Sequence, residues 1–233
     1  MTTKVGVVLP TFRETPVEAL AVAANCARLG IDGVFAYDHL WPMGNRNRPA
    51  LAPFPVLAAV AKAHPQMSIG TLVARIGLVA DEVLIKQFVS LNYLAPGRVI
   101  AAIGTGDKLN REENEAYGIA FGSADERRES LGTVISDLIG RGIETWVGGL
   151  SAPTRLIARD HGCALNLWGV DLGELSEEVR RGPVTWAGSA PTDHDGLREH
   201  YQGVQEAGAS WAVYGFPVDL EVLASLRGSS QGL

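Results

Sequence analysis

Eight short apolar runs recur along the chain, and each is followed by a segment whose apolar residues return at helical spacing. The runs are Lys4 to Leu9, Gly33 to Tyr37, Met67 to Val73, Arg98 to Ile103, Ile143 to Val147, Cys163 to Trp168, Val184 to Ala187 and Ala209 to Tyr214. Most show no alternation of apolar and polar residues. A strand that is apolar on both faces belongs in a parallel sheet covered on both sides. Eight strands, each followed by a helix, is the count of a (β/α)8 TIM barrel. The same alternation also allows an open doubly wound sheet. The dinucleotide fingerprint that would favour the open sheet is missing, because Gly104-Thr105-Gly106 has no third glycine and runs into Asp107-Lys108.

Local punctuation sets the helices. Thr15-Pro16-Val17-Glu18 has the form of a capping box with Pro at the first helical position, and the helix it opens runs to Leu29, with Gly30 as its stop. A loop from Trp41 to Pro53 leads to a helix ending near Ala63. Asp81 to Leu94 forms the next helix, closed by Pro96-Gly97. A polar loop extends through Tyr117. Ser123-Ala124-Asp125-Glu126 is a second capping box, for a helix to about Gly140. Ser151 starts a helix ending at His161-Gly162. Further helices cover Leu175 to Arg181, Asp195 to Ala207 and Leu220 to Leu226, and Gly228 to Leu233 is a Gly/Ser-rich tail expected to fray. No shift of composition divides the chain, so residues 1–233 are expected to form one domain.

Composition narrows the function classes. The formal charge is −6 with no basic run, which disfavours nucleic acid as a partner. No apolar stretch approaches the roughly 18 residues needed to span a bilayer, and the N-terminus has no charged n-region or apolar h-region of a leader. Cys26 and Cys163 stand far apart, in no CxxC or His/Cys cluster. No metal site is expected, and the two thiols are expected to be reduced and buried, as in a cytoplasmic protein.

In a parallel barrel the catalytic groups lie at the C-terminal ends of the strands. This rule sorts three Asp-His pairs. Asp160-His161 closes a helix, on the opposite face. Asp193-His194 follows a strand but sits where a helix N-cap belongs. Asp38-His39 stands where the second strand ends and is the candidate for chemistry. An imidazole titrates near neutral pH and suits a general acid or base; Asp38 would orient it or anchor substrate. Gly104, Thr105 and Gly106 end the fourth strand, where small residues admit a ligand close to the backbone, or simply make a tight turn. Gly148, Gly149 and Ser151 precede a helix whose N-terminus suits a phosphate or carboxylate, with Ser151 doubling as its cap. Trp41, Trp168, Trp186 and Tyr214 lie at or just after strand ends and are read as lining a pocket for a flat ligand.

The ordered series "VGVVLPT", "ARLGIDGVFAYDHLWP", "MSIGTLV", "LAPGRVIAAIGTG", "YGIAFGSADERRESL", "WVGGLSAPTRLIARDHGCALNLWG" and "VTWAG" resembles the luciferase-like flavin and deazaflavin oxidoreductases over most of the chain. "TWVGG" followed by "ALNLWG" is similar to the branches that use the deazaflavin coenzyme F420. The resemblance implies a TIM barrel holding the coenzyme ring at its C-terminal mouth, a small-molecule substrate and a homodimer. It places Asp38 and His39 near the reacting face of the ring. Thr71, Leu72 and Val73 would back the ring, in a segment that often carries a non-proline cis peptide. Gly104, Thr105 and Gly106 would lie beside the ribityl chain, Gly148, Gly149 and Ser151 at the phosphate, and Asn166 and Trp168 at the sixth strand end. FMN is the alternative coenzyme, in a monooxygenase or in a binding protein without turnover. Two departures stand out. The long excursion that the family carries before the fifth strand is reduced here to a few residues. "VARIGLVADEV" replaces the family's His-Pro-containing stretch and leaves Arg75 facing either pocket or solvent.

Overall fold

The computed structural model describes residues 2–42 and 44–228, so the tail read above lies outside the described residues from position 229 on. The strands are β1 (Lys4–Val8), β2 (Gly33–Ala36), β3 (Ser68–Thr71), β4 (Ala74–Arg75), β5 (Val99–Gly104), β6 (Glu144–Gly148), β7 (Ala164–Trp168), β8 (Val184–Ser189) and β9 (Trp211–Gly215). They run in the order β3-β2-β1-β9-β8-β7-β6-β5-β4, and β3 also pairs with β5, which closes the ring. Every pairing is parallel. The barrel therefore has eight staves. The third is split into β3 and β4 around a cis peptide bond between Leu72 and Val73.

The helices are α1 (Val17–Leu29), α2 (Pro53–Ala63), α3 (Asp81–Leu94), α4 (Arg111–Ala116), α5 (Ala124–Gly140), α6 (Ala152–Asp160), α7 (Leu172–Val179), α8 (His194–Ala207) and α9 (Leu220–Gly228). Their ends are set largely by local chemistry. The Ser123/Glu126 capping box is complete in both directions, and Asp193 accepts the Gly196 amide at the start of α8. The Thr15 box does not form. Pro16 is the N-cap, with no side-chain cap, and Glu18 is taken by the Arg13 guanidinium at 2.5 Å. The stretch read as a polar loop holds a 3-10 turn (Lys108–Asn110) and α4, with Asp107 capping the turn. α7 begins earlier than expected because Asp171 caps it. The link from α5 to β6 is short, as the sequence indicated.

Period-two alternation divides each stave between two cores. Val8, Phe35, Ile100, Ala102, Trp146, Ala187, Trp211 and Val213 fill the barrel interior. Val5, Val7, Val34, Ile69, Ile103, Val147, Leu167, Trp186 and Tyr214 face the helices. Both cysteines are buried and unbridged. Among the described residues, no helix is long and apolar enough to cross a membrane.

Candidate active site

Strand register assembles the mouth of the barrel. Arg75 pairs with Gly104, Gly104 with Gly148, and Gly148 with Asn166. Residues spread over ninety positions of sequence thus share one level at the C-terminal ends of β4 to β7. There the barrel opens into a cavity of about 630 Å³, within the usual range for a small-molecule site. Phe12, Tyr37, Leu72, Val73 and Trp168 supply apolar walls, and His39, Arg75, Asp107 and Asn166 bring polar groups to it. Phe12 stacks on Tyr37 at 5.3 Å between ring centres, and Trp168 meets Tyr37 edge-on at 5.9 Å. Burial pushes the Tyr37 hydroxyl up to about 12, so it stays protonated at neutral pH.

One buried carboxylate organises the acid-base groups. Glu113, on α4, is 1% exposed. Its Oε1 meets His39 Nδ1 at 2.9 Å; its Oε2 accepts the Leu40 amide at 3.0 Å and Arg75 Nη2 at 2.7 Å. Burial alone would raise the Glu113 carboxyl. The hydrogen bonds from His39 and Leu40, together with the charges of His39 and Arg75, outweigh it and hold the group below the ordinary carboxylate range. An ionised carboxylate only accepts, so His39 donates from Nδ1, and Nε2 is left for whatever enters the cavity. Asp38 does not orient the imidazole. Its Oδ2 accepts the Arg75 amide at 3.0 Å, and its carbonyl accepts Arg75 Nε at 3.0 Å. Burial raises the Asp38 carboxyl, against the lowering pull of that amide and of the Arg75 charge.

On the far wall, Gly148-Gly149-Leu150-Ser151 turns from β6 into α6. Ser151 caps the helix by accepting the Thr154 amide. Gly149 holds φ of 148°, and a Cβ there would lie 2.8 Å from Thr154 Cγ2, so a side chain would be both strained and crowded. Gly104 and Gly148 line the cavity and have a further, structural cause. Val73 packs over both, and a Cβ would come within 2.8 Å of its side chain at Gly104 and 2.5 Å at Gly148. These glycines seat the valine that floors the cavity.

Leu72, Val73, Gly104, Thr105, Gly106, Gly148, Gly149, Ser151, Asn166 and Trp168 line one cavity with His39. Five expected residues do not, and Asp38, turned to Arg75, is one of them. Thr71 is fully buried and donates to the Ala102 carbonyl at 2.7 Å. Trp186 points outward from β8, giving its indole N–H to the Val170 carbonyl, and Tyr214 points outward from β9, with its hydroxyl 3.0 Å from His200 Nδ1. Trp41 is buried under Tyr117 at 5.9 Å between ring centres. Of the four aromatics assigned to the pocket, Trp168 alone reaches it. Glu113, Phe12 and Tyr37 were missed. The run Arg111-Glu112-Glu113-Asn114-Glu115-Ala116 is rich in helix formers behind a capping Asp107, which signals a helix, but not which of its three carboxylates turns inward. Arg75 faces the pocket rather than solvent.

The pattern of the luciferase-like monooxygenases matches residues 3–161, more than half of the chain. An F420-dependent glucose-6-phosphate dehydrogenase of Beutenbergia cavernae is 34% identical over 96 residues, 41% of this chain and 29% of that protein. An F420-dependent hydroxymycolic acid dehydrogenase of Mycobacterium tuberculosis is 35% identical over 130 residues, 54% of this chain and 35% of that one. The chain thus spans about a third of the length of these relatives. Among solved structures, an F420-dependent secondary alcohol dehydrogenase in complex with an F420-acetone adduct superposes with a TM-score of 0.81 at 14% identity, covering 97% of this chain and 98% of that one. The FMN complex of a type II Baeyer-Villiger monooxygenase from Pseudomonas putida superposes at 0.61 and 15% identity, covering 91% and 67%. At such identities the superpositions speak to the fold.

Proposed function

The chain belongs to the luciferase-like monooxygenase family, and from that premise we propose that it is an oxidoreductase transferring a hydride between the deazaflavin coenzyme F420 and a small organic substrate. The observation that carries the reading is His39, paired with the buried Glu113, at the wall of a cavity of about 630 Å³. The residues present suit such a coenzyme. Val73, Leu72, Tyr37 and Trp168 give a flat ring apolar contact. The Gly148–Ser151 turn, at the N-terminus of α6, suits a phosphate on the tail, and Thr105 and Gly106 suit the chain between the two. When bound, the deazaflavin supplies the hydride-exchanging centre.

The chain's own residues supply the proton chemistry. His39 Nε2 takes a proton from a substrate hydroxyl as the alcohol is oxidised, or returns one to the carbonyl oxygen in the reverse direction. Glu113 holds the Nδ1–H and stabilises the imidazolium that forms. Asp38 anchors Arg75 beneath this pair. Support for the deazaflavin over FMN comes from the relatives' F420 dependence, since the fold itself accommodates either.

Fluorescence titration of the purified protein with F420 and, separately, with FMN tests the reading. F420 is expected to bind at least tenfold tighter, about 1.4 kcal/mol. Tight FMN binding without detectable F420 binding would replace the reading with an FMN-dependent monooxygenase. Tight coenzyme binding without turnover of any alcohol or carbonyl substrate would replace it with a binding protein.

A further inference from the structure

We propose that Arg75 is a positioning residue whose guanidinium keeps Glu113 ionised and turned toward His39, so that the imidazole carries its proton on Nδ1 and presents an unprotonated Nε2 to the cavity. The inference rests on the assignment of His39 as the proton-handling group.

Arg75 is placed for this by the backbone and held there by three bonds. It ends β4 opposite Gly104, at the rim of the barrel. Its amide binds Asp38 Oδ2, its Nε binds the Asp38 carbonyl, and its Nη2 reaches Glu113 Oε2 at 2.7 Å. Its side chain is 4% exposed, and that of Glu113 is 2% exposed. Few waters can screen such a pair, so the cation acts on Glu113 more strongly than an exposed one would. Among the described residues, the other charged groups acting on Arg75 are Asp38, beside it, and Asp107, at the cavity lining. Phe12 and Tyr37 present only ring faces and edges to His39.

Without the cation, a carboxylate so deeply buried takes up a proton or shares one with its neighbour. Two arrangements then follow. Glu113 becomes a carboxylic acid and donates to His39 Nδ1, which leaves the ring proton on Nε2. Alternatively, the imidazole becomes an imidazolium paired with the carboxylate, with both nitrogens protonated. In either case Nε2 bears a hydrogen and can no longer accept one. The present arrangement, with Arg75 on one carboxylate oxygen and the imidazole on the other, opposes both, because the guanidinium favours the ionised carboxylate and disfavours a second cation beside it. Glu113 sits below the ordinary carboxylate range in spite of burial, in keeping with this geometry.

Nitrogen-15 NMR of ring-labelled histidine, in coenzyme-free protein, tests the proposal, with the His39 signals assigned by their loss in His39→Ala. In mildly alkaline buffer the wild type is expected to show a protonated Nδ1 and an unprotonated Nε2. In Arg75→Met, proton loss from the Glu113–His39 unit should move upward by about one to three pH units, the usual effect of removing a neighbouring opposite charge from a carboxylate. Arg75→Lys, which keeps the cation, should return the midpoint toward its wild-type position; a merely structural role would not give that rescue. A wild-type tautomer and midpoint in Arg75→Met would overturn the proposal, as would Nε2 protonation in the alkaline wild type. Should Arg75→Met fail to fold, Arg75→Gln decides by the same two outcomes. No substrate or coenzyme enters the measurement, so a failed oxidoreductase reading and a failed role for Arg75 give different results.

Discussion

Replacing Glu113 with Gln probes the site through stability rather than turnover. The substitution keeps the shape of the side chain and removes its charge. Arg75, whose side chain is 4% exposed, would then be a buried cation with no ionised partner at Nη2. Breaking a buried pair by removing one member costs about 3–5 kcal/mol. The glutamine oxygen can still accept from Arg75 or from the Leu40 amide, so the lower end, about 3 kcal/mol, is expected. For a domain of this size that is a fall in Tm of roughly 6–12 °C. Thermal unfolding followed by circular dichroism at neutral pH measures it, with Glu115→Gln as the control. Glu115 pairs with Arg111 at 3.6 Å on the same helix, but both side chains are more than half exposed, so its loss should leave Tm unchanged. The pH dependence follows from linkage. The folded-state carboxyl of Glu113 lies below the ordinary range, so its contribution is complete above the unfolded-state value of about 4.3 and is lost as pH falls through the folded value. The gap between wild type and Glu113→Gln should therefore be full at neutral pH and close in acid. A gap at neutral pH below about 1 kcal/mol, the range of an exposed pair, would refute the argument. So would a gap that widens on acidification.

His39→Ala should lower turnover by roughly 10² to 10⁴ while leaving coenzyme affinity nearly intact, and the same change at His161, at the C-terminal end of α6 on the opposite face, should do little; steady-state kinetics beside fluorescence titration separates the two, and full turnover in His39→Ala removes the assignment. Gly149→Val forces a branched side chain onto φ of 148° and against Thr154, so coenzyme affinity should fall while the barrel still folds. Normal affinity in that variant, measured by the same titration, would move the tail of the coenzyme away from this turn.

Much of the barrel is legible in the sequence because its determinants are local. The β–α alternation, the Ser123 box, the Asp193 cap and the bounds of α3 each depend on residues within a turn of one another. The Thr15 box failed for an equally local reason. Arg13 took the carboxylate that would have closed it. The positions of Gly149, Ser151 and His39 at the mouth followed from one rule about parallel barrels, that chemistry sits where strands end.

What the sequence determined by itself, then, is the succession of elements, the family resemblance and the end of the barrel that carries the site. Tertiary structure alone decided which residues face one another there. Parallel strands are apolar on both faces, so nothing in the sequence distinguishes Trp186 and Tyr214, which turn outward to the helices, from Trp146, which turns inward. Strand register put Arg75 level with Gly104 and Gly148, and the packing of α4 over the mouth carried Glu113 to an imidazole 74 residues away. Asp38, adjacent to His39 in sequence, was drawn instead to the Arg75 backbone. Neighbours in sequence thus turn to different partners, and the partner of His39 is the carboxylate that the fold buries beside it.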